Sequence, residues 1–182
     1  MQRTRAIVLV AVLAVVLAVA GSVAGCTSPS PSPSRALLSA SPSAASVTIY
    51  SAPTHSLAIP DALGLSRSGG LTGPLGPKSG FFGTHGEEVV VEYFGSAGGD
   101  VALARLIAQA KDPRTSAVLV AEAPLTLPAG KAQRMEFTLQ GHRVVIYAIA
   151  APTTSAVIVA TGISDDAAVD AIVRSFRFAP AP

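Results

Sequence analysis

From Val144 to Ala150 the chain reads VVIYAIA, seven consecutive apolar or aromatic positions. A strand with one wet face carries polar residues at every second position, so an unbroken apolar run reads as a strand covered on both faces. Such a strand requires a sheet with a layer packed on each side. Gln140-Gly141 just before it is a tight-turn signal, which pairs 130–139 with 142–150 as an antiparallel hairpin. Ala117–Ala123 and Ala156–Gly162 extend this to a meander of four strands, broken at Pro124–Pro128, at Gln140-Gly141 and at Pro152–Ser155. Two helical periodicities supply the layers. One runs from Asp100, expected to accept from the free amides of the first turn, to Lys111, with Leu103, Leu106, Ile107 and Ala110 on one face. The other is capped by Ser164, has Asp165 and Asp166 at its positive end, and turns Ala168, Val169, Ile172 and Val173 inward.

The first half of the domain is less regular. Val47–Tyr50 and His55–Pro60 flank Ala52-Pro53-Thr54 and read as a hairpin, and Glu87–Phe94 (EEVVVEYF) reads as a strand. Between them, 61–86 carries eight glycines with Pro74 and Pro77, a density that predicts a long loop without regular structure. Lys78, Phe81 and Phe82 are the candidate contact residues of that loop, although an aromatic pair there more often pins a loop to the core. Phe176-Arg177-Phe178 alternates as a last short strand. The resulting class is α+β, an antiparallel sheet flanked by helices, in one domain over 47–182.

The N-terminal 46 residues belong to no such domain. Arg3 and Arg5 precede an apolar run from Ala6 to Ala20, and Val23-Ala24-Gly25 are small residues in front of the lone Cys26. A basic head, an apolar centre and small residues at the cut describe a secretory signal over 1–25. The cysteine behind them resembles a bacterial lipoprotein lipobox, which implies acyl chains such as palmitate on Cys26 and a place on the outer face of the cytoplasmic membrane. An uncleaved spanning helix is the competing reading of the run, and it also puts the remainder outside. Residues 26–46 are mostly Ser, Pro and Ala with no periodic apolar face and read as an extended tether, suited to O-glycosylation or to plain spacing. Losing Arg3 and Arg5 lowers the 13 Lys and Arg to 11, equal to the 11 Asp and Glu, so the net charge of +2 falls to zero. An argument from net positive charge for nucleic acid or an anionic lipid surface thereby fails. With Cys26 committed to lipid there is no disulfide, thiolate or cysteine metal site.

The element order, together with Leu57-Ala58-Ile59-Pro60 near the start and Ile172-Val173-Arg174-Ser175-Phe176 near the end, resembles the PsbP-like fold, and within it the actinobacterial lipoproteins of the LpqN type. The resemblance covers roughly 47–178. It implies a binding or accessory protein without a fixed catalytic centre and transfers no site residue.

Little in the chain points to catalysis. There is no Gly-x-Ser-x-Gly, and His55, His85 and His142 are scattered and read as solvated. His85-Gly86-Glu87-Glu88 lacks a third ligand, and Glu87 and Glu88 should face opposite ways. Gly95, Gly98 and Gly99 match no phosphate-binding fingerprint. No cofactor, metal or nucleic acid is expected. The leading expectation is an envelope protein that binds a protein or glycan partner, with 61–86 as its candidate contact. The alternative is a carrier holding a lipid or other hydrophobic ligand in an apolar pocket beside the small residues Ala167, Ala168 and Ala171. A hydrolase of envelope polymers is a third, weaker reading.

Overall fold

The computed structural model describes residues 46–73, 76–95 and 97–179. The expected signal, the expected lipobox with Cys26 and nearly all of the expected tether lie outside these residues. Among the described residues, ten strands and two helices form a mixed α+β domain. A seven-stranded antiparallel sheet has the order β3 (Ser66–Gly73), β4 (Gly76–Phe82), β5 (Glu88–Phe94), β9 (Ser155–Thr161), β8 (His142–Ala150), β7 (Gly130–Leu139), β6 (Val118–Leu127). A smaller sheet has the order β1 (Val47–Ser51), β2 (His55–Pro60), β10 (Arg177–Phe178). Helix α1 (Gly99–Ala110) lies across β7, β8 and β9 on one face of the large sheet. Helix α2 (Asp166–Ser175) packs on β2, and together they cover the other face.

The apolar run from Val144 is buried at every position to Ala150, as a strand covered on both faces must be. Val145, Tyr147 and Ile149 join Ile158, Val89 and Phe81 against Leu57, Ile59, Val169 and Ile172. Val144, Ile146 and Ala148 join Met135, Phe137 and Val159 beneath Leu106 of α1. Each large aliphatic or aromatic side chain contributes about 1.5–3 kcal/mol when fully buried. All buried members of both cores fall between Leu57 and Phe176, so the domain carries its own interior. Gln140 and Gly141 both have positive φ, 50° and 82°, as a two-residue turn of this twist needs. At the other end of β7, a Cβ on Gly130 would sit 2.3 Å from the Ala150 carbonyl oxygen, so only glycine lets the strands meet there.

Several expectations need correction. The stretch 61–86 is not a long loop: β3 and β4 form a hairpin that pairs onto β5. Glycine weakens a strand but does not forbid it, and the ladder to β5, with Phe81 fully buried, offsets the cost. Strand β6 runs through Pro124, leaving Pro128-Ala129 as the turn. Proline is tolerated because β6 is the sheet's last strand, and its register also slips at Val120. The cap of α2 is Asp165, one residue beyond Ser164, whose carboxylate accepts from the N–H groups of Ala167 and Ala168. Asp100 caps nothing and instead pairs with Lys131 at 2.8 Å. Strand β10 is only two residues long, and Ser175 adds a side-chain bridge to β2 beside it. The Ser175 hydroxyl receives the Ala58 N–H at 2.8 Å and donates to the Ile172 carbonyl of its own helix at 2.6 Å.

His55 is also not solvated. It is 2 % exposed, lies 5.7 Å from the Phe176 ring, and its Nε2 has no partner. Burial, with Arg67 adding to it, lowers its pKa to about 4. The folded state therefore holds His55 neutral while the unfolded chain takes up a proton below pH 6.5. Stability is complete above that value, falls as the pH drops through roughly 6.5 to 4, and then levels off, a loss of up to about 3 kcal/mol. We expect His55→Leu to flatten this dependence in urea titrations at about pH 7 and about pH 5; an unchanged slope would assign the acid sensitivity elsewhere.

Candidate functional site

Helix α1 does not close fully on the sheet. Its buried residues are Ala102 and Leu106, and toward its C-terminal end Leu106, Gln109 and Ala110 stand over Phe137, Ile146 and Val159 with a gap between. The gap is an apolar groove of about 50 Å³, far below the roughly 300 Å³ of a small-molecule site. It admits a few atoms and is too small for an acyl chain. The groove sits by α1, not by the alanines of α2, where Ala167 and Ala171 face solvent.

Glu92 lies on the groove wall, 3 % exposed, with Oε2 3.3 Å from the Lys78 ammonium and Oε1 without a partner. Burial pushes its pKa up, and Lys78 opposes the shift without cancelling it. Glu88 on the same strand face is 6 % exposed, also raised by burial, and stands opposite Thr161; Glu88 Oε1 and Thr161 Oγ1 both lack partners. Four residues along a strand separate the two carboxylates by about 13 Å, too far for the acid–base pair of a glycosidase.

On the opposite face a polar cluster joins the sheet to the start of α2. Glu136 accepts from Arg143 Nε at 2.8 Å and from Arg134 Nη2 at 2.9 Å, and Arg143 reaches Asp166 as well. The bonds from Arg143, then Arg134, hold the Glu136 pKa down to about 2. The Tyr147 hydroxyl receives Arg134 Nε at 3.2 Å and donates to Asp170 at 2.6 Å. Burial, then the bond to Asp170, pushes the tyrosine up to about 12. These groups are spent on one another, which suits a structural clasp better than a reactive centre.

The histidines do not assemble. His55 is in the core, whereas His85 and His142 are exposed. His85 Nδ1 is 3.7 Å from Glu87, but Glu88 turns into the sheet, and among the described residues no group of three His, Cys, Asp or Glu could hold a metal ion. Of the contact residues, Phe81 is in the core, Phe82 is half-buried and Lys78 is paired with Glu92. Sequence reading passes over Glu92, although a carboxylate within EEVVVEYF is the available signal. It also passes over Arg134 and Glu136, whose alternation in β7 marks a polar patch on an inward face.

One exposed apolar surface lies on the sheet edge. Val118, Leu119 and Val120 open β6 with 66 %, 38 % and 60 % of their area in solvent, along the unpaired edge of the large sheet and next to Ala117 on the groove wall. A comparison of the chain with models of known protein families found no match, and a comparison with curated proteins found none either.

We expect Tyr147→Phe to destabilise the domain by about 1–2 kcal/mol, because Asp170 and Arg134 both lose a partner. Urea denaturation at neutral pH measures it, and a change below about 0.5 kcal/mol would show that the clasp adds nothing.

Proposed function

We propose that the protein is a lipoprotein of the cell envelope, held on the outer face of the membrane by acyl chains on Cys26, whose PsbP-like domain, in the manner of LpqN-type lipoproteins, is a non-catalytic binding or accessory component. The observation that carries this reading is the apolar run Val118–Val120 on an open sheet edge, in a domain whose groove is only about 50 Å³. Exposed aliphatic residues in sequence on an edge strand offer backbone hydrogen bonds and apolar area together, which is what an added peptide strand uses. His55, Glu88 and Glu92 are buried apart from one another and the groups around Glu136 are saturated by neighbours, which supports binding over catalysis.

The alternative is a carrier of a hydrophobic ligand. The apolar walls around Glu92 favour it, and it requires α1 to move outward to enlarge the groove.

Two measurements separate these readings. A photo-crosslinking residue at Leu119 in intact cells is expected to give a discrete protein adduct, lost when Val118→Asp and Val120→Asp are added while the circular dichroism is unchanged. Native mass spectrometry of the domain purified without detergent is expected to show the bare polypeptide. A reproducible hydrophobic extra mass, with no adduct in cells, would overturn the partner reading in favour of the carrier.

A further inference from the structure

We propose that the outer face of the small sheet docks on a bilayer rich in anionic phospholipid, so that the domain lies against the membrane instead of standing off at the end of its tether. The inference rests on the lipid-anchored reading and adds a second contact to it.

The pairing of β1 with β2 sets Val47↔Pro60, Ile49↔Ala58 and Ser51↔Ser56 on one side, while the alternating positions Leu57 and Ile59 enter the core. That outer side is uncovered: Val47 is 52 % and Ile49 71 % exposed. Strand β10 continues it with Arg177 opposite Ser56, and Arg67 reaches the end of β1 with Nη1 3.5 Å from the Ser51 carbonyl oxygen. Both arginines are exposed, and among the described residues neither meets a carboxylate. Arg177 is braced by donating to the carbonyls of Arg174 and Phe176, both at 2.7 Å. The carboxylate at the border, Asp61, is engaged by the Thr48 hydroxyl at 2.6 Å. Aliphatic side chains with two arginines at the Ser51–Ser56 end of the same face match the boundary between acyl chains and anionic headgroups.

The position of this face in the chain points to the same occupant. Val47 is where the tether enters the domain, and the roughly 20 residues back to Cys26 can span at most about 70 Å. An acyl anchor on Cys26 confines the face near the headgroups, so a contact far too weak to recruit a free protein is populated once the domain is tethered. No acidic residue precedes Asp61 anywhere in the chain, and the tether adds Arg35. Net neutrality of the mature protein is no obstacle, because Arg67 and Arg177 lie on the same face as Val47 and Ile49.

The chain has no tryptophan, so one introduced indole reports without background. The Ile49→Trp domain, beginning at Ser46 behind an N-terminal His-tag, is bound to vesicles containing a nickel-chelating lipid in either zwitterionic phosphatidylcholine or a mixture with phosphatidylglycerol. Expected are a blue shift and quenching by brominated acyl chains on the anionic vesicles alone, and loss of both in high salt. Ala104→Trp on the exposed side of α1 should show neither. Arg67→Gln is expected to lower the docked-to-undocked ratio of the tethered Ile49→Trp domain about fivefold. No shift for Ile49→Trp, or an equal shift for Ala104→Trp, would overturn the proposal. The intact mass of the mature protein from its host reports Cys26 acylation separately. A docked domain on an unacylated chain refutes the anchor and keeps the face, whereas an acylated chain with an undocked domain does the reverse.

Discussion

The structure depends on β8 being enclosed. Its backbone is hydrogen-bonded to β7 on one side and β9 on the other, and from Val144 to Ala150 its side chains are buried. A strand in that position has to have a layer above and a layer below, and the two layers here are of different kinds. One is a single helix, α1; the other is α2 together with a small sheet. Gly130 and the Gln140-Gly141 turn fix the two ends of the β7–β8 pairing, so the register that presents Val145, Tyr147 and Ile149 to one core and Val144, Ile146 and Ala148 to the other is set by steric contact as well as by apolar pattern.

Charge is distributed according to depth. At the surface clasp around Glu136, both arginines meet carboxylates, and the tyrosine that reaches it from β8 uses its ring for the core and its hydroxyl for the clasp. Deeper in, Glu88, Glu92 and His55 each keep an atom unpaired, and burial shifts each toward its neutral form. The polar side chains of the clasp thus stabilise the layers, whereas the buried Glu88, Glu92 and His55 strain them.

Much of this is legible in the chain. Unbroken apolar character reveals β8, Gln140-Gly141 reveals its hairpin, and the spacing of Val169, Ile172 and Val173 reveals the inner face of α2, because each is a local signal with a local cause. The stretch 61–86 misleads because its glycines read as breakers, whereas β3 and β4 are held by pairing that ends on β5 and through it on the rest of the sheet. Pro124 misleads in the same way, since only the order of strands makes β6 an edge that tolerates it. His55 and Glu92 show the limit for side chains. Both look like surface residues until the fold brings Phe176 beside one and Lys78 beside the other.

The slip at Val120 and the proline that follows it in the same strand bear on crowding. Under the proposed lipid anchor the domain would meet its neighbours edge to edge far more often than a free protein does, and an open strand of ten residues would be a template for sheet-to-sheet polymerisation. Here the bulge twists the ladder after Leu119, and Pro124 offers no N–H to a newcomer. Only the first few residues of β6 can be copied by an incoming strand. The edge is thereby long enough to seat a short segment and too interrupted to propagate a fibre.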